Sequence, residues 1–282
     1  GLNPIDKVSQ KVMERTKNNT LPLDRMQELE TYAMAWSSPV SDAVRAQVDK
    51  ATTSLAYVDM ASGPMMRGLL GFLVRASKAQ RVLEIGTFIG TSAMGMAEAM
   101  DSLRDRQDPH APHVPQDSHG PHAPYLLTID KNKRYIELVK DAFAQEPYAS
   151  IIESVEGDAL AMLCAGDPRI FTPQRWDLIF LDGDKAHYPE YIEHVVELLR
   201  VGGVLVIDNV LWYGLVLDAE TLATDKLASD ADAHKPNATR EEKHKQKAVA
   251  IDQMNQRLAQ DPRLTIQILP FGDGLTLATR IQ

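Results

Sequence analysis

A chain of 282 residues is long enough for one large α/β domain or two small ones, and its 44% hydrophobic and 24% charged residues are ordinary for a globular protein. The net charge of −9 argues against a general binder of nucleic acid or anionic membrane. A single cysteine, Cys164, excludes an internal disulfide framework and fits a reducing cytoplasm, and no apolar run approaches the roughly 20 residues a membrane span needs.

Residues 4–79 read as helical. Asp24 is placed to cap one helix, and Val40, Val44, Val48 and Leu55 recur at helical spacing in a second. A third, "GPMMRGLLGFLVRAS", is expected to turn Leu69, Leu70, Phe72 and Leu73 inward. These helices are expected to cover a site or to pair subunits in a homodimer. The texture then changes: "RVLEIGTFIG", "YLLTIDKN", "IIESVEGDALAML", "WDLIFLDGDK" and "VGGVLVIDNVLW" each open with a strand, and helices follow between them. Five such alternations indicate a parallel sheet wound with helices on both faces. The chain ends in two strands joined by Gly272-Asp273-Gly274, an antiparallel hairpin that brings the sheet to seven strands. The expectation is therefore a single domain over residues 1–282, a helical cover at 1–79 and an α/β core at 80–282. Within the core, 101–124 and 218–247 read as inserted polar loops, the second leading into a helix that ends near Leu258. His110, His113, His119 and His122 of the first insertion lack an ordered frame for a metal, and Cys164 reads as a small buried side chain.

In a wound sheet, ligands sit beyond the carboxyl ends of the strands. The first strand delivers Glu84, Gly86, Gly90 and Ser92, the second Asp130, the third Asp158 and Ala159, the fourth Asp182 to Lys185, and the fifth Asp208 and Asn209. An acidic residue ending the second strand suits ribose hydroxyls. "GTFIGTS" has Thr87-Phe88 where a dinucleotide fingerprint carries its second glycine, the one that admits a pyrophosphate. This disfavours a nicotinamide oxidoreductase and favours a nucleoside cofactor such as S-adenosylmethionine. Ribose would then lie at Asp130, adenine near Asp158 and Ala159, and the amino-acid head group at Glu84 and Ser92, with a helix-end ion pair as the plainer role for Glu84. Asp182, Asp208 and Asn209 are hard oxygen donors at neighbouring strand ends, and they suit Mg²⁺, Mn²⁺ or Ca²⁺ rather than zinc. Lys185 is a candidate to take a proton from a hydroxyl. The plainer alternatives are an Asx turn at Asp208-Asn209 and a surface ion pair at Asp182-Lys185.

At these residues the sequence resembles the cation-dependent class I O-methyltransferases, a group that includes caffeoyl-coenzyme A and catechol O-methyltransferases. The likeness lies in "VLEIGTFIGTSAMGMA", "LLTIDKN", "VEGDAL", "WDLIFLDGDKAHYPEY", "GGVLVIDNVLWYG" and "LPFGDGLTLATRI", and it covers residues 55–282 apart from the two insertions. The resemblance implies a Rossmann-like, mostly parallel sheet, a divalent metal (Mg²⁺ foremost) on Asp182, Asp208 and Asn209, and Lys185 as catalytic base. It implies an S-adenosylmethionine pocket lined by Glu84, Ser92, Asp130, Ala159 and Asp182, with Met60 and Ser62 contacting the cofactor from the preceding segment. Trp212 matches an aromatic residue that packs on the substrate ring, with ordinary core packing as its alternative. Asp184 is left between a substrate or metal-tuning role and an exposed ion pair. "SGPMMRG" departs from the family's usual pattern, with Met66 and Arg67 standing for an acid and a glycine. The implied substrate is a small vicinal-dihydroxy aromatic. A methyltransferase of tRNA wobble uridine and a catalytically silent cofactor-binding protein are the alternatives.

Overall fold

The computed structural model of the chain describes residues 25–55, 63–104, 123–229 and 239–282. Met60 and Ser62, the Asp24 cap and the four histidines of the first insertion lie outside them. Two compact units divide the chain, Gly1–Val40 and Ser41–Gln282. In the first unit a helix, α1 (Met26–Ala35), brings the rings of Tyr32 and Trp36 to 6.3 Å at its end.

The second unit opens with α2 (Asp42–Ser54), started by the Ser41 side chain, which accepts from the Val44 amide, and α3 (Pro64–Ser77), which has proline in its first turn. Helix α2 buries Val44, Gln47 and Ala51, and Gln47 Nε2 donates to the Ile89 carbonyl at 2.9 Å, tying this helix to the first strand-to-helix turn. Helix α3 corrects one expectation. Its buried positions are Met66, Leu70, Gly71 and Val74, while Leu69 and Leu73 are half-buried and Phe72 is 64% exposed. The reason is close helix packing: a Cβ at Gly71 would touch the Gly95 carbonyl and Ala99 of the next helix. The small-residue face is the inner one, and it carries Phe72 outward.

The sheet comprises β1 (Arg81–Ile85), β2 (Tyr125–Asp130), β3 (Ile152–Glu156), β4 (Trp176–Leu181), β5 (Leu199–Asp208), β6 (Leu264–Leu269) and β7 (Leu275–Arg280), in the order β3-β2-β1-β4-β5-β7-β6. The first five are parallel and β7 runs antiparallel between β5 and β6, as expected. Val82 to Ile85, Leu126 to Ile129 and Leu178 to Leu181 are buried without interruption, the pattern of strands covered on both faces. The covering helices are α4 (Thr91–Arg104), α5 (Lys133–Ala144), α6 (Ala159–Ala165) and α7 (Tyr188–Leu198), followed by α8 (Ala219–Ser229) and α9 (Arg240–Gln260). The chain leaves β1 toward β2 on one side and later returns to β4 on the other. The order of strands reverses there, and the crevice at the carboxyl ends of β1 and β4 is the ligand position of such sheets.

Two further expectations are corrected. Much of 218–247 is helix rather than loop: α8 occupies its start, and α9 begins at Arg240 under a capping box of Thr239 and Glu242. The burial of Ala248, Ile251, Met254 and Leu258 at helical spacing anchors α9, so the helix extends back through two polar turns that no apolar pattern marks. Cys164 is exposed, because the inner face of α6 is made by Ala159, Met162 and Leu163, and its sulfur lies 3.7 Å from His194 Nε2 on α7.

Candidate active site

The crevice is built by tight exits from the strands. Ile85 pairs with Leu181, the Asp182 amide donates to the Ile85 carbonyl at 2.9 Å, and the Gly86 amide donates to the Ile129 carbonyl at 2.9 Å. Gly86 has φ of 105°, and a Cβ there would strike the carbonyl oxygen of Asp182, so only glycine permits β1 and β4 to end side by side.

On the β1–β2 side, Glu84 is fully buried. Its two oxygens accept from Ser92 Oγ at 2.5 Å and Thr128 Oγ1 at 2.6 Å, and Thr128 in turn meets Thr87 Oγ1 at 2.6 Å. Burial pushes the Glu84 carboxyl up to about 8, against the lowering effect of its two hydroxyl partners. Glu84 and Ser92 thus meet in a hydroxyl network with Thr128 and Thr87, and among the described residues Glu84 makes no ion pair there. Asp130 is half-buried and accepts from the backbone amides of Phe88, at 3.0 Å, and Asn132, at 2.8 Å. These two bonds leave lone pairs on the carboxylate for hydroxyl donors. Phe88, one of the two residues in the place of the missing glycine, has φ of 45° and packs edge-on against Tyr135, with ring centroids 4.9 Å apart. Asp158 is exposed and caps α6 by accepting from the Ala161 amide at 3.1 Å, while Ala159 is buried beside it.

On the β4–β5 side, Asp182 and Asp208 follow paired positions, Leu181 and Ile207, of adjacent strands, about 5 Å apart. Asp182 accepts from Lys185 Nζ at 2.5 Å, and both are half-buried. Burial, then the nearby Asp182 charge, pushes the Asp208 carboxyl up to about 6. The Asn209 amide donates to Asp208 Oδ1 at 2.7 Å, and Asn209 itself has φ of 61°. Among the described residues no three His, Cys, Asp or Glu side chains assemble as a metal-holding group. The set here is instead two carboxylates and an amide, all hard oxygen donors, with two partly desolvated negative charges that a cation would relieve. The donor set therefore fits a divalent ion. Asp184 caps the short 3₁₀ turn Lys185–His187 by accepting from the Ala186 amide at 3.2 Å, and its other oxygen is 3.7 Å from Lys131 Nζ; Asp184 is half-buried and Lys131 exposed.

Beyond Asn209 the chain makes the turn Trp212–Asp218, whose residues Trp212 and Tyr213 both have positive φ, 45° and 54°. Trp212 is 7% exposed; its Nε1 donates to the His244 carbonyl at 3.0 Å, and it belongs to the core cluster. The ring that faces outward is Tyr213, 72% exposed, with the His244 ring stacked against it at 5.9 Å.

Two residues at this site were not singled out from the sequence. Tyr188 is buried, and its hydroxyl donates to the Asp208 carbonyl at 3.0 Å with the Leu181 carbonyl 3.5 Å away, fastening the ends of β4 and β5 together. Asp273, in the β6–β7 turn, accepts from Asn209 Nδ2 at 3.4 Å and from the Tyr213 amide at 2.5 Å, and burial raises its pKa. A tyrosine three residues after a candidate base was a signal for the first. The second is hidden in the sequence as an ordinary Asp-Gly turn.

Residues 35–104 and 111–281 match the family described as O-methyltransferase. Tricin synthase 1 of Oryza sativa subsp. japonica is 30% identical over 216 residues, 76% of this chain and 71% of the relative. Caffeoyl-CoA O-methyltransferase 2 of Populus trichocarpa is 31% identical over 216 residues, 76% and 72% of the two chains. The fold matches the crystal structure of the S-adenosylhomocysteine-bound methyltransferase PaMTH1 of Podospora anserina with a TM-score of 0.70 and 21% identity, covering 93% of this chain and 98% of that one.

Proposed function

The chain belongs to the O-methyltransferase family and is an S-adenosylmethionine-dependent enzyme, and we propose that it methylates a hydroxyl of a small vicinal-dihydroxy aromatic with a divalent cation, Mg²⁺ foremost, held by Asp182, Asp208 and Asn209. What supports this reading is that Asp182, Asp208 and Asn209 follow the adjacent ends of β4 and β5, with Lys185 Nζ on the Asp182 carboxylate. When bound, S-adenosylmethionine supplies the methyl group, and the cation lowers the pKa of a coordinated hydroxyl and orients it.

The chain's own part is alignment and proton handling. In its neutral amine form Lys185 Nζ takes the proton of the reacting hydroxyl and becomes the ammonium, and the Asp182 carboxylate holds that nitrogen within the site at 2.5 Å. Asp130 accepts from the cofactor's ribose, its two backbone partners fixing the carboxylate in place. Ala159 and Asp158 border the adenine, and Glu84 with Ser92 stands behind the amino-acid end. A three-oxygen protein set leaves about three octahedral positions, room for both hydroxyls of a diol. The exposed Tyr213 ring and the stacked His244 offer that diol's ring an aromatic wall, while Trp212 supports the wall from the core. One named relative, a caffeoyl-CoA O-methyltransferase, lends weight to an aromatic acceptor.

The test is methyl transfer from S-adenosylmethionine to a panel of catechols, with and without a chelator. Transfer that vanishes with chelator and returns with Mg²⁺ is expected, together with a loss of roughly 10²–10⁴-fold in kcat for Lys185→Ala at unchanged cofactor affinity. Chelator-insensitive transfer would remove the cation from the mechanism. Transfer to monohydroxy acceptors alone would remove the diol.

A further inference from the structure

Four backbone and side-chain bonds join the tip of the β6–β7 hairpin to the segment that follows β5. The Val210 amide donates to the Gly274 carbonyl at 3.2 Å and the Leu211 amide to the Asp273 carbonyl at 3.0 Å. The Asp273 side chain then reaches both ends of the same segment: one oxygen accepts from Asn209 Nδ2 at 3.4 Å, the other from the Tyr213 amide at 2.5 Å. A carboxylate can only accept, so the amide of Asn209 must present its nitrogen to Asp273 and its oxygen to the opposite side. Asn209, Trp212 and Tyr213 all have φ between 45° and 61°, a conformation that non-glycine residues keep only when surroundings impose it. The half-buried Asp273 side chain touches the first and the last of these three.

We propose that Asp273 is a positioning residue that turns the Asn209 amide oxygen toward the cation and, with its second oxygen, pins Tyr213 as the acceptor wall. The inference rests on the cation reading given above. One carboxylate then sets both the third donor of the cation site and the outward ring beside it, so cation affinity and acceptor binding are coupled through a residue that touches neither. Outer partners that orient a metal donor alter metal affinity by about 10–100-fold when removed. Asp273 does this from the far end of the sheet's antiparallel hairpin, and the fit between β5 and β7 becomes part of the catalytic geometry.

The experiment measures Mn²⁺ binding by the electron paramagnetic resonance signal of the free ion, with the full chain and no methyl transfer involved. Asp273→Ala is expected to weaken Mn²⁺ binding by about 10-fold or more, with S-adenosylmethionine affinity held within about twofold. Asp273→Asn, which keeps one acceptor oxygen, should fall between the two, and it carries the test if the alanine variant does not fold. The acceptor KM should rise in the same order. The decisive arm is the Asn209→Ala background, where Asp273→Ala should leave Mn²⁺ affinity within about threefold, because the group it positions is gone. An equal loss in both backgrounds would show a general effect of charge or folding and overturn the proposal. So would wild-type Mn²⁺ affinity in a folded Asp273→Ala protein. Failure of the wild-type chain to bind Mn²⁺ at all would instead remove the cation reading, and this inference with it.

Discussion

Glu84 sits wholly out of water between two hydroxyl groups, with the acidic groups Asp182 and Asp130 near enough to add to its cost of ionisation. Its carboxyl is raised from an ordinary 4.5 to about 8, so the folded chain keeps a proton there that the unfolded chain gives up. The linked stability is complete below pH of about 4.5 and is lost as pH climbs toward 8, at about 1 kcal/mol per pH unit, a few kcal/mol in all. Replacement by glutamine removes the titration while preserving the network, since the amide can accept from Ser92 and donate to Thr128, which passes its own proton to Thr87. In urea unfolding between pH 5 and pH 8, the stability of wild type relative to Glu84→Gln should therefore fall steadily as pH rises. A pH-independent difference would mean that Glu84 is ionised in the folded state across this range. The same residue shows the reach of the sequence at this scale. "LEIG" marks a carboxylate at a strand end. Nothing in it marks the Thr128 hydroxyl, 44 positions on, that makes the carboxylate part of the core.

At the scale of elements, the β6–β7 hairpin ties the end of the sheet to the candidate cation site. Gly274 has φ of 85°, and a Cβ there would collide with the backbone nitrogen and side chain of Leu211. Gly274→Ala meets two separate penalties, a left-handed backbone and an overpacked contact, each worth about 1–3 kcal/mol. The variant should lose at least about 2 kcal/mol in chemical denaturation and should shed amide protection first at Val210 and Leu211, whose bonds the hairpin tip accepts. Exchange loss spread evenly over the sheet would contradict this local account. The strands, their parallel winding and the closing hairpin were legible because burial on both faces leaves long apolar runs, and because alternating strands and helices form βαβ units. Helix faces were less legible. In α3 the glycine at 71 sets which side approaches α4, a packing choice that outweighs the larger apolar area of Phe72. The start of α9 was hidden for a related reason: its first two turns are polar and owe their helix to the Thr239–Glu242 cap and to burial further along. The role of Asp273 was illegible because it acts across the fold, on a residue 64 positions away.

For the molecule as a whole, the arrangement of strand ends predicts which ligands stabilise it. A ligand that binds only the folded state at a hundred times its dissociation constant adds about 2.7 kcal/mol, and in a domain of this size each kcal/mol moves the melting temperature by about 2–4 °C. S-adenosylmethionine at that excess should therefore raise the melting temperature by about 5–10 °C. 5′-Methylthioadenosine keeps the ribose and adenine proposed to lie at Asp130 and Ala159 but lacks the amino-acid end that the Glu84–Ser92 pocket is read to hold. It should need a higher concentration for the same shift. NADH shares ribose and adenine as well, yet its pyrophosphate would have to approach the backbone at Thr87-Phe88, where side chains occupy the space a glycine would leave and Phe88 is braced by Tyr135. No shift is expected with NADH at concentrations that saturate S-adenosylmethionine. An NADH shift equal to that of S-adenosylmethionine would show that Thr87-Phe88 does not bar a pyrophosphate. The crevice would then read adenosine alone, and the assignment of Glu84 and Ser92 to the head group would fall.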